Sequence, residues 1–141
     1  MLVSTKGRYA LRIMLDLAQY SGGESVVLMD VAKRQGISEK YLESIVASLT
    51  RAGLLTGQRG RGGGYRLSRT PEEYSIGEIL RATEGPLVPV SCLKTEKNEC
   101  DRSAECLTLP LWMELDRRMS DYLDSVTLID LLRGDVAARN E

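Results

Sequence analysis

Five of the eight residues from Gly57 to Gly64 are glycine, within the run LLTGQRGRGGGYRLSR. No regular helix survives that density of glycine, because each one loses more backbone freedom on ordering than any other residue. The chain is apolar on both sides, Leu54 to Thr56 before and Tyr65 to Leu67 after, so the segment reads as two short strands joined by a flexible turn. Arg59 and Arg61 stand at its tip, where guanidinium groups can enter a narrow, negatively charged groove without bulky neighbours in the way. A phosphate cradle is the rival for a glycine-rich run. The spacing lacks G-x-x-x-x-G-K-S/T, however, and the turn joins strands instead of opening a helix. A solvated hairpin without a role is the plainer alternative.

The residues before this hairpin have helical spacing. Ser4 or Thr5 can cap a helix with Leu11, Met14, Leu15 and Ala18 inward, ending near Tyr20 before Gly22 and Gly23. The segment LMDVAKRQG predicts a two-turn helix with Val31 and Ala32 inward and Gly36 as its stop. Ser38 then caps a helix from about Glu39 to Ala52, with Leu42, Ile45, Val46 and Leu49 on its apolar face and Gly53 ending it. A short helix, a glycine-containing turn and a longer helix make the sequence form of a helix-turn-helix, whose second helix enters the major groove; the hairpin after it would be a wing.

Beyond the hairpin, Ser75 and Glu78 form an S-x-x-E capping box for a helix through about Thr83, closed by Gly85. Residues 86–108 are polar and aperiodic, and need an external organiser to stay ordered. Thr108 and Pro110 open a long helix striped by Leu111, Trp112, Leu115, Met119, Tyr122, Leu123 and Val126. Thr127 and Asp130 cap a short last helix ending at Gly134, and the final residues DVAARNE are expected to fray. The long stripe could pack on its own domain, but a homodimer interface is preferred, since helix-turn-helix proteins usually read two half-sites with two-fold symmetry. The expected organisation is residues 1–85 as DNA-binding domain, 86–108 as a thiol loop, 109–134 as dimerisation and terminal helices, and 135–141 as a tail.

The charge is divided in the same way. Residues 1–70 carry 11 Lys and Arg against 5 Asp and Glu, whereas residues 71–141 carry 8 against 15. The basic half suits double-stranded nucleic acid, because phosphate contacts by Lys and Arg supply most nonspecific affinity; simple solubilisation is the alternative. No run approaches the roughly 20 apolar residues of a membrane span, and Lys6, Arg8 and Arg12 interrupt the apolar start, so no membrane partner and a cytoplasmic location are expected.

Cys92, Cys100 and Cys106 fall within 15 residues, at spacing C-x7-C-x5-C and flanked by Lys, Glu, Asp and Asn. Structural cysteines prefer apolar surroundings, so these read as ligands. An iron-sulfur cluster suits soft donors spread along a loop that can wrap around it. Zinc usually takes ligands from close C-x2-4-C pairs, absent here, and stands as an alternative beside a thiol-disulfide switch. The sequence contains no histidine, which removes the commonest general base and leaves neither an enzyme nor a small-molecule substrate expected.

The segments VSTKGRYALRIMLDLA, GISEKYLESIVASLTRAGLL, RGRGGGY, SIGEILRATEG and CLTLPLW, taken in order, resemble the Rrf2 family over about residues 2–133, and most of all its iron-sulfur-sensing members. The resemblance implies a mainly α, winged helix-turn-helix transcription regulator, a repressor or dual regulator of cluster-assembly genes. It also implies a long C-terminal helix that dimerises and a palindromic operator. The helix from Ser38 would be the recognition helix, presenting Ser38, Lys40, Tyr41, Glu43 and Ser44 to DNA, with Arg59 in the minor groove and Arg61 beside it. Glu43 matches the position at which cluster state alters site choice; a solvated glutamate is its plainer reading.

The implied cofactor is one cluster per subunit, expected as 2Fe-2S, on Cys92, Cys100 and Cys106. A nitric oxide or redox sensor of the same family is the alternative. Where relatives complete the site with a histidine this chain has Leu109, and where others use an early acidic residue it has Arg8. The fourth ligand is therefore open among Asp101, Glu99, Glu105, Ser103, Thr108, a water and a partner-subunit group.

Overall fold

Ser4 starts the first helix because its hydroxyl accepts the Gly7 N–H, one of the donors that a helix cannot satisfy for itself. In the computed structural model, which describes residues 3–136 apart from 96 and 99, this helix α1 runs Thr5–Tyr20. Next come α2 (Leu28–Gln35), α3 (Glu39–Arg51), the antiparallel strands β1 (Leu55–Gln58) and β2 (Gly64–Leu67), and α4 (Ile76–Glu84). After the loop follow α5 (Leu109–Ser125) and α6 (Leu128–Arg133). The expected caps hold at Ser38, whose hydroxyl accepts from Tyr41 N–H, and at Thr127 with Asp130, a complete capping box. Gly36, in the left-handed region at φ 65°, ends α2 and opens the turn into α3.

Four local expectations are corrected. The centre of the buried face of α1 is Ala10, Ile13, Met14 and Leu17; Leu11, Leu15 and Ala18 lie half-buried at its margin, because α2, α3 and α4 all pack on this helix and widen its apolar arc. Ser75 caps α4, but Glu78 does not complete the box, since its carboxylate takes the Arg69 guanidinium at 2.7 Å instead. Thr108 stands at the start of α5 without capping it. The wing strands extend further into the glycine run than expected, with Gly57 paired to Tyr65 and Gln58 to Gly64, so the turn proper is Arg59 to Gly63. Tyr65 explains this: its ring lies where a Gly57 side chain would project, and its backbone also pairs with Val26 through bonds of 2.8 and 2.9 Å. The wing therefore leans on a third short extended piece that periodicity did not reveal.

One core serves the described chain. Leu42, Ile45, Val46 and Leu49 of α3 join the α1 face, Ile79 and Leu80 of α4, and Val126 and Leu128 from the far end. The C-terminal elements are held on by a bridge between Ser75 and Thr127, with Ile76 N–H donating to the Val126 carbonyl at 2.9 Å and Leu128 N–H to the Tyr74 carbonyl at 3.0 Å. Val126, expected in the dimerisation stripe, is thus part of the chain's own core.

Tyr74 fastens the wing to this core. Its buried hydroxyl donates to the Leu54 carbonyl at 2.7 Å and accepts from Arg69 N–H at 3.0 Å, while the Arg69 guanidinium lies 4.4 Å from its ring centroid. Replacing Tyr74 by Phe removes the acceptor for a backbone donor, and the variant is expected to lose about 1–3 kcal/mol of stability. A urea titration with an unchanged slope checks this; an unaltered midpoint would show that the hydroxyl is dispensable.

Candidate nucleic-acid interface and thiol loop

The N-terminal end of α3 is set by its cap and by what lies beneath it. Ser38, Lys40, Glu43 and Ser44 are exposed, and the Lys40 and Glu43 side chains make no hydrogen bond or ion pair among the described residues. Tyr41 differs from that expectation: it is half-buried, edge-on to Tyr9 of α1 at 5.8 Å between ring centroids, and packs against the core. Its ring supports the helix from below more than it faces outward. Arg12 continues this support, 5.0 Å from the Tyr9 centroid and bonded to the Gln35 carbonyl at the end of α2.

A second tie was missed in the sequence. Asp16, whose side chain is wholly buried, accepts from Arg34 Nε at 3.0 Å, Arg34 Nη2 at 2.7 Å and Gln35 Nε2 at 2.8 Å. It clamps α1 to the last turn of α2, directly before the turn into the recognition helix. The available signal was a carboxylate inside the apolar run MLDLA, which only a partnered acid tolerates.

At the wing tip Arg59 and Arg61 are exposed and carry no ion pair among the described residues, so neither is spent on internal structure. Gly60 and Gly62 adopt φ of 90° and 74°, conformations that a side chain at those positions would resist. The turn thereby holds both arginines on a tight backbone.

In the thiol loop three unpaired cysteines are accessible. Cys92 lies on a 3-10 turn, Ser91–Leu93, and with Cys100 lines a cleft of about 490 Å³ completed by Ser91, Lys94 and Thr95. Cys106 does not line that cleft, and its sulfur lies 3.3 Å from the Thr108 hydroxyl. That hydroxyl, then the Thr108 and Leu109 backbone and nearby Arg102, hold the Cys106 thiol below its ordinary pKa. Thr108 thus serves a sulfur instead of capping α5. The loop is less dependent on an organiser than expected: Leu87 is buried, and turns at residues 100–105 close with bonds of 3.0 Å from Ser103 N–H to the Cys100 carbonyl and from Glu105 N–H to the Arg102 carbonyl.

Among the described residues no three His, Cys, Asp or Glu side chains converge on one point. The set fits a soft-metal core in kind, as three available thiols, two of which line one cleft. Of the fourth-ligand candidates, Asp101 and Glu105 are exposed, Ser103 is half-buried and Thr108 is engaged with Cys106. Glu99 lies outside the described residues, as do the last five residues of the tail.

On α5, Leu111, Leu115 and Tyr122 are 59, 38 and 44% exposed along one stripe, with Met119 half-buried beside them. Trp112 and Leu123 are half-buried, and Leu123 packs on the chain's own core. Met113, which the stripe omitted, is 54% exposed on another side. The polar face satisfies itself: Glu114 pairs with Arg117 at 2.5 Å and Arg118 at 2.9 Å, and those guanidiniums push its carboxyl down to about 2. The apolar stripe has no such internal partner.

Residues 3–134 match the Rrf2 family, described as iron-dependent transcriptional regulators. The chain belongs to the Rrf2 family. It is 40% identical over 135 residues to the HTH-type transcriptional regulator IscR of Vibrio campbellii, covering 96% of this chain and 79% of that protein. Among solved structures, CymR, the global cysteine regulator of B. subtilis, matches with TM-score 0.73 at 39% identity over 93% of this chain and 95% of that one. IscR of T. potens matches with TM-score 0.73 at 36% identity over 100% of this chain and 93% of the other.

The family resemblance read from the sequence motifs is thereby borne out, and so is the winged helix-turn-helix class. This Rrf2 protein is a DNA-binding transcription regulator; its relatives are named as regulators and not as enzymes. No helix among its described residues is long and apolar enough to cross a membrane.

Proposed function

We propose that this protein is a homodimeric, IscR-like regulator whose grip on a palindromic operator depends on an iron-sulfur core held by Cys92, Cys100 and Cys106. The observation that carries the reading is three accessible thiols in one loop of an Rrf2 chain 40% identical to a protein named IscR, with two of them lining one cleft. When bound, such a core supplies a redox-active scaffold that fixes several points of a polar loop at once.

The protein's own residues do the rest. Ser38, Lys40, Glu43 and Ser44 read the major groove, while Tyr41 braces their helix against α1. Glu43 accepts from cytosine N4 and repels phosphates and base acceptors, which rejects wrong sites as well as choosing right ones. Arg59 and Arg61 enter a narrowed minor groove, and the stripe Leu111, Leu115, Met119 and Tyr122 pairs with its copy so that two α3 helices address successive turns of one duplex face.

Anaerobic purification tests the reading: coloured protein with iron and acid-labile sulfide, which shifts the DNA upstream of its own gene differently with and without the reconstituted core, is the expected result. Protein lacking both iron and sulfide, with operator affinity blind to reconstitution, would reject it. The shared cleft of Cys92 and Cys100 favours a second reading, a metal-free thiol switch, for which the same preparation would be colourless and respond to oxidant alone.

The wing has its own test. Each of Arg59→Ala and Arg61→Ala is expected to reduce the slope of log K against log salt by about one, through loss of one phosphate-neutralising charge. An unchanged slope in the double variant would remove the wing from the interface.

A further inference from the structure

α4 ends on an acid, Glu84, at the end of a helix where the macrodipole disfavours negative charge. The first turn of α1 has the opposite mismatch: it contains no acid and instead carries Lys6, with Arg8 close behind, near the positive helix end. The fold sets the two against each other. Glu84 Oε1 accepts from Ser4 N–H at 2.5 Å and from the Ser4 hydroxyl at 2.6 Å, and that hydroxyl accepts from Gly7 N–H at 3.3 Å. The approach is so close that a Cβ on buried Gly7 would overlap the Glu84 carboxylate and push it aside.

Two connections make this contact more than a cap. The chain leaves Glu84 through Gly85, at φ 78°, straight into the thiol segment 86–108, whose buried anchor Leu87 lies three residues on. From α1, in turn, Lys6 Nζ donates to Ser48 Oγ of α3 at 3.1 Å, fastening the start of α1 to the recognition helix. We propose that Glu84 is a positioning residue, through which the state of segment 86–108 sets the N-terminus of α1 and, by way of Lys6 and Ser48, the recognition helix. This role rests on the core-responsive reading above.

The test uses full-length Ser4→Ala, Glu84→Gln and the double variant, each prepared with and without reconstituted iron and sulfide. Metal content and the visible spectrum report loading, and operator titrations give the ratio of loaded to unloaded affinity. For the unsubstituted protein a ratio of about 5- to 150-fold in either direction is expected. All three variants should load normally; Glu84→Gln and the double variant should bring that ratio to within about twofold of one, whereas Ser4→Ala, which keeps the backbone N–H bond to Glu84, should lower it only in part. Independently of any metal, the Gly7 and Arg8 amides should exchange faster with solvent in unloaded Glu84→Gln than in the unsubstituted protein.

A loaded Glu84→Gln that keeps the full ratio overturns the role of Glu84 while leaving the core-responsive reading intact, as does unchanged amide exchange. An unsubstituted protein that shows no ratio overturns both. Glutamine fills the same space as glutamate, and if it nonetheless unfolds the protein, Glu84→Ala, which removes the acceptor of both Ser4 bonds, decides the matter in its place.

Discussion

Changing Leu111 and Leu115 together to glutamate is expected to give a folded monomer that binds a palindromic operator roughly 10²–10⁴-fold more weakly, the advantage that joining two binding modules confers. Both side chains are exposed in the single chain, so the substitution should leave the core of α1, α3 and α4 untouched, and the thermal melt of the monomer should stay cooperative. The loss arises because one α3 contacts one half-site, whereas a two-fold pair contacts both and makes the second contact without a second diffusional encounter. Light scattering after size exclusion reads the assembly and a gel shift reads the affinity. A variant that remains dimeric would move the interface elsewhere, and a monomer with undiminished affinity would remove the need for a dimer. Val126→Glu is a contrasting control: it places a charge in the chain's own core and should unfold the protein instead of separating two copies.

Replacing Cys92, Cys100 and Cys106 together by serine is expected to abolish iron and acid-labile sulfide binding and to lock operator affinity at its core-free value. The predicted difference from the reconstituted protein is about 5- to 150-fold. None of the three side chains is fully buried, so folding stability should change by no more than about 0.5 kcal/mol, the usual range for surface substitutions. The effect is therefore a clean loss of response in a protein that still folds. Substitution of Cys106 alone is the sharper case, because its sulfur is not part of the cleft lining shared by the other two and is engaged with Thr108. Iron and sulfide retained by the triple variant would show that other residues hold the metal.

Much of the candidate interface is legible in the amino-acid order alone. The glycine run with its two arginines could only be a turn, and Ser38, Gly36 and the Leu42–Leu49 face could only be a capped amphipathic helix after a tight bend, because those constraints act within a few residues. The three thiols were equally plain, since clustering of a rare residue type needs no geometry to be noticed. What escaped involved partners far apart in the chain: Asp16 with Arg34, Glu84 with Ser4, Val26 with Tyr65, and Tyr9 beneath Tyr41. Periodicity also misjudged the rotation of α1, because which arc of an amphipathic helix is deepest depends on how many neighbours cover it.

The amino-acid order by itself determined the helices, the wing, the family and the clustering of the three thiols, all of which follow from local backbone preferences and side-chain chemistry. Only the folded chain decided that Val126 belongs inside while Leu111, Leu115 and Tyr122 stay bare, that Tyr41 is half-buried against Tyr9, and that an acid ending one helix secures the beginning of another. The reason is the range of the forces involved: propensity and capping act over three or four neighbours, whereas burial and ion pairing depend on which distant segments the whole core brings together.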